Sequence, residues 1–196
     1  MEKDQSIISN SMFYGFIFGI VLVIYNIILT TTGMNKTLIS GGFTMSMMSM
    51  LLSLILYFGG VFISQQQYRN RKLGGYITYG KAFTFGLLVT VFASLLVAVY
   101  SYVYAQWVNP DYGKELYEMS RQLTMDMLDR FNAPAEAVDQ ALAKLEENGI
   151  STPQDFAFGS ITNGIIIGTI ISLLTSIFVK KVNKDPFAGI EEDITE

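Results

Sequence analysis

Four long apolar stretches constrain this chain more strongly than any other feature of its sequence. They cover residues 11–31, 43–64, 80–105 and 158–179; none contains Asp, Glu or Arg, and the only Lys, Lys81, comes at the start of the third. About 20 apolar residues are enough for a helix to cross the hydrocarbon core of a bilayer. Because a spanning segment must satisfy its own backbone hydrogen bonds, each stretch is expected to be helical. The sequence therefore predicts an all-α protein built on a bundle of four transmembrane helices.

The residue types that are missing narrow the chemistry. The chain has no Cys and no His, which removes thiol nucleophiles, disulfides, the usual zinc ligands and the ordinary near-neutral proton carrier. No nucleophile–base pair is recognisable elsewhere. We therefore expect no catalytic residue, no bound metal and no cofactor, and we do not expect an enzyme.

Basic residues predict how the spans are oriented. Arg69, Arg71 and Lys72 lie between the second and third stretches. Three further bases follow the fourth stretch: Lys180, Lys181 and Lys184. Basic residues close to the ends of spans favour the cytoplasmic side. Both termini are therefore predicted to be cytoplasmic, and the long segment between the third and fourth spans is predicted to lie outside.

That long segment, residues 106–157, is predicted to form an acidic extracytoplasmic helical hairpin. It holds ten acids and four bases, a net charge of −6. Asn109-Pro110-Asp111 is a pattern that begins helices. Apolar residues then recur three and four positions apart, which indicates an amphipathic helix: Leu116, Met119, Leu123, Met127 and Phe131.

A second hairpin helix follows the break at residues 132–134. It carries Leu142 and Leu145 on its apolar face and ends at Asn148-Gly149, a typical helix C-cap. A capping box in residues 151–154 then leads into the fourth span. The hairpin divides the chain into regions 1–105, 106–157 and 158–196. Two interpretations stay open: a cap packed on the bundle, or a docking surface for a partner.

Small residues predict how the spans pack. Gly15 and Gly19 lie on the first span, and the fourth span has a small residue at every fourth position, among them Gly164, Gly168 and Ser172. Such ridges let helix backbones approach closely in lipid. We expect the first and fourth spans to pack antiparallel with Gly19 beside Gly168. This register would bring Asn26 within about one turn of Asn163 as an intramembrane polar contact. The alternative use of the fourth-span ridge is homodimerisation.

A local motif follows the basic loop and enters the third span: Gly-Gly-Tyr-Ile-Thr-Tyr-Gly-Lys-Ala-Phe, residues 74–83. With Arg69, Arg71, Lys72 and Lys81 it is a candidate binding site for an anionic lipid headgroup; the alternative is a simple anchor and turn. Together with the four-span layout and the Gly-rich fourth span, the motif resembles the domain of unknown function 4199 family, small integral membrane proteins of Bacteroidota. The resemblance implies residence in a bacterial inner membrane and no particular activity.

The expected function is therefore a non-enzymatic accessory or assembly role in an envelope complex. Its partners would be membrane lipids and an envelope protein or a second copy of the chain, and no nucleic acid. The alternative is a small oligomeric transporter or channel-like protein for a lipid or small solute, with Asn26, Asn163 and the basic loop as contacts.

Overall fold

The computed structural model describes residues 2–34 and 42–182, and in this part of the chain the protein is all-helical. Six α-helices follow one another along the chain: α1 Glu2–Thr31, α2 Gly42–Lys72, α3 Tyr79–Val103, α4 Tyr112–Arg130, α5 Ala135–Asn148 and α6 Pro153–Val179. A short π-helical turn, Tyr104–Val108, extends α3. The all-α prediction is confirmed. Lys184, one of the bases used to predict the orientation, lies outside the described residues.

Four of these helices are long and apolar enough to cross a membrane, as predicted. The qualifying segments are Ile7–Thr31, Met47–Lys72, Tyr79–Val108 and Pro153–Val179. They place the α2–α3 loop and the end of α6 at one end of the bundle, called here the basic end. The remaining two helices, α4 and α5, form the predicted hairpin at the opposite end, called here the hairpin end.

Helix α3 is the centre of the bundle. It packs extensively against both α6 and α1, whereas α2 lies across α6 and α3 and barely touches α1. Phe85, Val89 and Ala93 of α3 are completely buried. The ring of Tyr68 from α2 stacks on Phe85 with centroids 4.0 Å apart. The best-packed core therefore surrounds α3 in the half of the bundle nearer the basic end.

The glycines of α1 pack on α3 and not on α6. A Cβ atom added at Gly15 would lie 2.6 Å from Phe92 Cβ and 2.8 Å from the carbonyl oxygen of Val89. One added at Gly19 would lie 3.1 Å from the Cα of Ala93. The two backbones approach so closely only because both positions lack a side chain.

The glycines of α6 also pack on α3, but on an adjacent face. A Cβ added at Gly164 would collide with Ser94, and one at Gly168 would lie 2.5 Å from Thr90 Cβ. The prediction that Gly19 lies beside Gly168 is therefore wrong. The physical reason is that α3 lies between the two helices. Its residues Phe92 and Ala93 face the glycines of α1, and its residues Thr90 and Ser94 face the glycines of α6.

Helix α2 is longer than its apolar stretch. The predicted span ended at residue 64, but the helix continues to Lys72, because Gln65 is fully buried and hydrogen-bonded inside the bundle. Arg69 and Lys72 therefore lie in the last helical turn and not in a loop. Gly74 and Gly75, at φ 62° and 90°, then turn the chain away from the helix axis.

The hairpin begins slightly later than predicted and ends as predicted. Helix α4 starts at Tyr112; the Asn109 N–H instead donates to the Tyr104 carbonyl, 2.8 Å away, and closes the π-helical turn. Gly149 ends α5 at φ 67°. The capping box before α6 lies one residue later than predicted: Thr152 and Asp155 form it, and not Ser151 and Gln154.

Candidate functional site

A clasp at the basic end joins the α2–α3 loop to the end of α6. Ile77 and Lys181 exchange two backbone hydrogen bonds, with N···O distances of 2.8 and 2.9 Å. The Arg69 guanidinium donates to the Val179 carbonyl at 2.9 Å. A cation at the C-terminal end of a helix also interacts favourably with the helix dipole. Arg69, predicted as a headgroup ligand, thus holds α6 in place.

A shallow pocket of about 260 Å³ lies beside this clasp. Lys81 and Lys181 line it together with Tyr76 and the start of α3. The Lys181 ammonium lies 5.6 Å from the centroid of the Tyr76 ring, a cation–π arrangement. Of the four bases named for a headgroup site, only Lys81 lines this pocket. The structure adds Lys181, which sequence reasoning counted only as an orientation signal.

Arg71 and Lys72, the other two predicted headgroup residues, are exposed at the end of α2. They stand outside the clasp pocket. The four bases therefore occupy separate places around the basic end, and no single site gathers them.

A buried polar cluster lies where α2, α3 and α6 meet. The Gln65 side-chain amide donates to the Ala82 carbonyl at 3.0 Å and to the Ser176 hydroxyl at 3.1 Å. Its oxygen and the Ser172 hydroxyl are buried and make no hydrogen bond among the described residues. Gly86 leaves the room that this cluster needs, because a Cβ there would collide with the Gln65 amide.

Ser172 was predicted as a packing residue, and it lies in this cluster, fully buried. Sequence reasoning missed Gln65, which sits beyond the predicted end of the second span. The three consecutive glutamines at residues 65–67 directly follow the apolar stretch and could have indicated that the helix continues beyond it.

The predicted contact between Asn26 and Asn163 does not form. The Asn26 amide donates to the Leu22 carbonyl of its own helix at 2.8 Å, and Asn163 is exposed. The two residues belong to helices that α3 separates. Hydrogen bonds between spans occur elsewhere: the hydroxyls of Ser101 and Ser160 are 3.1 Å apart.

A lateral groove of about 550 Å³ opens between α1 and α2. Its walls are mostly apolar, with Ile17 and Val21 on α1 and Ile55 and Ile63 on α2. The two helices meet where the Phe18 ring of α1 packs on α2: a Cβ at Gly60 would collide with this ring, and the Tyr57 ring lies edge-on to it with centroids 5.5 Å apart. The groove opens beside this contact.

The hairpin is attached to the bundle at its base and is loosely packed beyond it. Tyr112 lies between the rings of Tyr104 and Phe156, with centroids 5.1 and 5.2 Å away. Gly113 is the one buried residue of α4, and α5 has none. Towards the tip the Phe131 side chain is 68% exposed.

Acidic groups of the hairpin are solvated and partly paired. Asp111 accepts from the Lys114 ammonium at 3.0 Å, and Glu115 accepts from the Asn109 amide at 3.2 Å. Among the described residues no group of three or more Asp, Glu, His or Cys is arranged to hold a metal ion.

Four membrane-capable helices with α3 at their centre, and an amphipathic hairpin at one end, define a multi-pass helical membrane protein. A family model described as "Protein of unknown function (DUF4199)" matches residues 13–181. The chain belongs to this family, and the resemblance seen at residues 74–83 is confirmed. No curated protein and no solved structure matches the chain.

Proposed function

We propose that the protein is a non-enzymatic accessory or assembly subunit of an envelope complex in a bacterial inner membrane. The observation that carries this proposal is the hairpin surface. Its two helices are amphipathic and contact each other, and α4 also contacts α2, yet part of their apolar surface stays exposed, most of all towards the tip.

Four leucines between the base and the middle of the hairpin are half-buried: Leu116, Leu123, Leu142 and Leu145. The apolar residues near its tip are exposed, with Met125 at 39%, Met127 at 36% and Phe131 at 68%. Outside the membrane, exposed apolar area is unfavourable by roughly 25 cal/mol per Å². A partner that covers this face removes that cost, and the acidic residues around it favour a basic rim on the partner.

The charge distribution supports a hairpin on the extracytoplasmic side. Arg69, Arg71 and Lys72 end α2, and Lys81 lies in the first turn of α3. Basic residues at span ends favour the cytoplasmic side, which supports a cytoplasmic basic end and cytoplasmic termini. The cysteine-free chain allows a direct test. A Cys replacing exposed Ser120 of the hairpin should react with a membrane-impermeant maleimide in intact cells, whereas one replacing Lys72 should react only after the membrane is opened.

Site-specific photo-crosslinking tests the docking surface. A photoreactive residue replacing Phe131 should capture one defined protein at native expression, and the same residue replacing Lys144, exposed on the same hairpin, should not. The partner should co-purify stoichiometrically and be lost from a Phe131→Glu variant that retains its helicity. Crosslinks from Phe131 to lipid alone would overturn the proposal and place the hairpin on the membrane surface.

Transport of a lipid or small solute is the second candidate. Its expected contacts are Asn26, Asn163 and the basic loop. The Asn26 amide is engaged with its own helix and Arg69 is engaged with the end of α6, which favours the accessory role. A homo-oligomer that retains one solute after purification would favour transport instead.

A further inference from the structure

The groove between α1 and α2 has the position and length of a binding site for a lipid chain. It extends along α2 from Ile55 to Gln67, which at 1.5 Å per residue is about 18 Å. One leaflet contributes about half of a hydrocarbon core roughly 30 Å thick. Gln67 lies five residues before the end of α2 at Lys72. The groove therefore covers the leaflet at the basic end.

The two ends of the groove differ in polarity. Val21 and Ile55 line the end of the groove nearer the middle of the membrane, whereas Tyr14 and Gln67 line the end nearer the membrane surface. Residues four positions apart share one face of a helix, so Arg71 continues the face of Gln67 by one turn. Arg71 is exposed, and a guanidinium is suited to bind a phosphate.

We infer that this groove binds one anionic phospholipid of the leaflet at the basic end. An acyl chain fills the apolar part, the Gln67 amide hydrogen-bonds an ester oxygen, and the Arg71 guanidinium donates to the phosphate. The apolar lining suits an acyl chain and the exposed cation beyond it suits an anionic headgroup, and the volume of about 550 Å³ lies within the usual range for ligand sites. The inference does not depend on the accessory role.

Gly59 provides a substitution that blocks the groove without disturbing the fold. It lines the groove, and a Cβ added there meets no atom within 4 Å. A Leu at this position would therefore occupy the groove itself. Gly159 is the matched control, because a Cβ there also meets nothing within 4 Å. It lies near the start of α6, at the hairpin end and away from the groove.

Native mass spectrometry provides the test. The full chain would be reconstituted with equal amounts of phosphatidylglycerol and phosphatidylethanolamine and transferred to mild detergent. The wild-type protein and Gly159→Leu should retain one phosphatidylglycerol, and Gly59→Leu should lose it. Arg71→Gln should lower the preference for phosphatidylglycerol about tenfold, the change expected on losing one charge-assisted hydrogen bond.

Three results would overturn the inference. One is equal lipid retention by Gly59→Leu and the wild-type protein, which would mean that the retained lipid sits elsewhere. Another is a wild-type protein that retains both lipids without preference, since the groove would then lack the headgroup specificity assigned to Arg71. A wild-type protein that retains neither lipid would equally overturn the inference, because the groove would then bind no phospholipid.

Discussion

Replacing Gly15 by Ala should push α1 away from α3. The new methyl group would lie 2.6 Å from Phe92 Cβ and 2.8 Å from the Val89 carbonyl oxygen. The second contact is with backbone, so the clash cannot be relieved by a rotamer change and the helices must separate by several tenths of an ångström. Overpacking of this kind costs about 1–3 kcal/mol.

The higher helix propensity of Ala, worth up to about 1 kcal/mol in water, offsets part of this cost. Spans unfolded in detergent keep much of their helicity, which reduces the offset. We expect a net destabilisation of about 1–2 kcal/mol. Gly59→Ala is the control: it makes the same chemical change in a span, and its added Cβ meets nothing within 4 Å.

A thiol-accessibility assay can measure this loss. Ser11 lies one turn before Gly15 and is completely buried, so a Ser11→Cys variant of the cysteine-free chain reports when α1 leaves α3. In a titration with a denaturing detergent, the Gly15→Ala variant should expose this thiol at a lower detergent concentration than the Ser11→Cys parent. The Gly59→Ala variant should expose it at the same detergent concentration as the parent. Equal midpoints for both glycine variants would refute the close packing of α1 on α3.

Two further predictions test the position of α3 and the clasp. Oxidation should crosslink Gly19→Cys to Leu96→Cys, since a Cβ at Gly19 would lie 3.0 Å from Leu96 Cβ. The pair Gly19→Cys and Gly168→Cys should not crosslink. The reverse pattern would mean that the first span packs directly on the fourth. Arg69→Gln removes the donor to the Val179 carbonyl, so amide hydrogen exchange at the end of α6 should accelerate. Lys72→Gln changes an exposed neighbour and should leave the exchange rate at the end of α6 unchanged. Equal exchange rates in both variants would contradict the clasp.

The sequence was sufficient to predict the helices but not which of them are neighbours. Apolar length predicts the four spans, and Asn148-Gly149 predicts the end of α5, because these signals are local. The capping box before α6 was predicted one residue too early. Packing partners depend on all spans at once. Gly19 and Gly168 are small-residue positions that fit many surfaces, and in the folded protein both lie against α3, Gly19 at Ala93 and Gly168 at Thr90.

The candidate site was predicted less completely than the fold for a related reason. Lys181 reaches the start of α3 only because its backbone pairs with Ile77, a contact between distant parts of the chain. The groove beside Gly59 arises from the divergence of α1 and α2, which no residue pattern in either helix records.

The hydrogen bonds of Gln65 impose an order on assembly during synthesis. Its amide needs the Ala82 carbonyl on α3 and the Ser176 hydroxyl on α6, and α6 is made after α1, α2 and α3. The contacts of Gly15 and Gly19 with α3 require no later segment. The α1–α3 pair can therefore form first, while α2 keeps a polar side chain without its full set of partners. Packing of α2 into the bundle is therefore coupled to insertion of α6. In a chain truncated before α6, the Gln65 amide would lack its Ser176 partner, and membrane quality control could recognise this unpaired polar group.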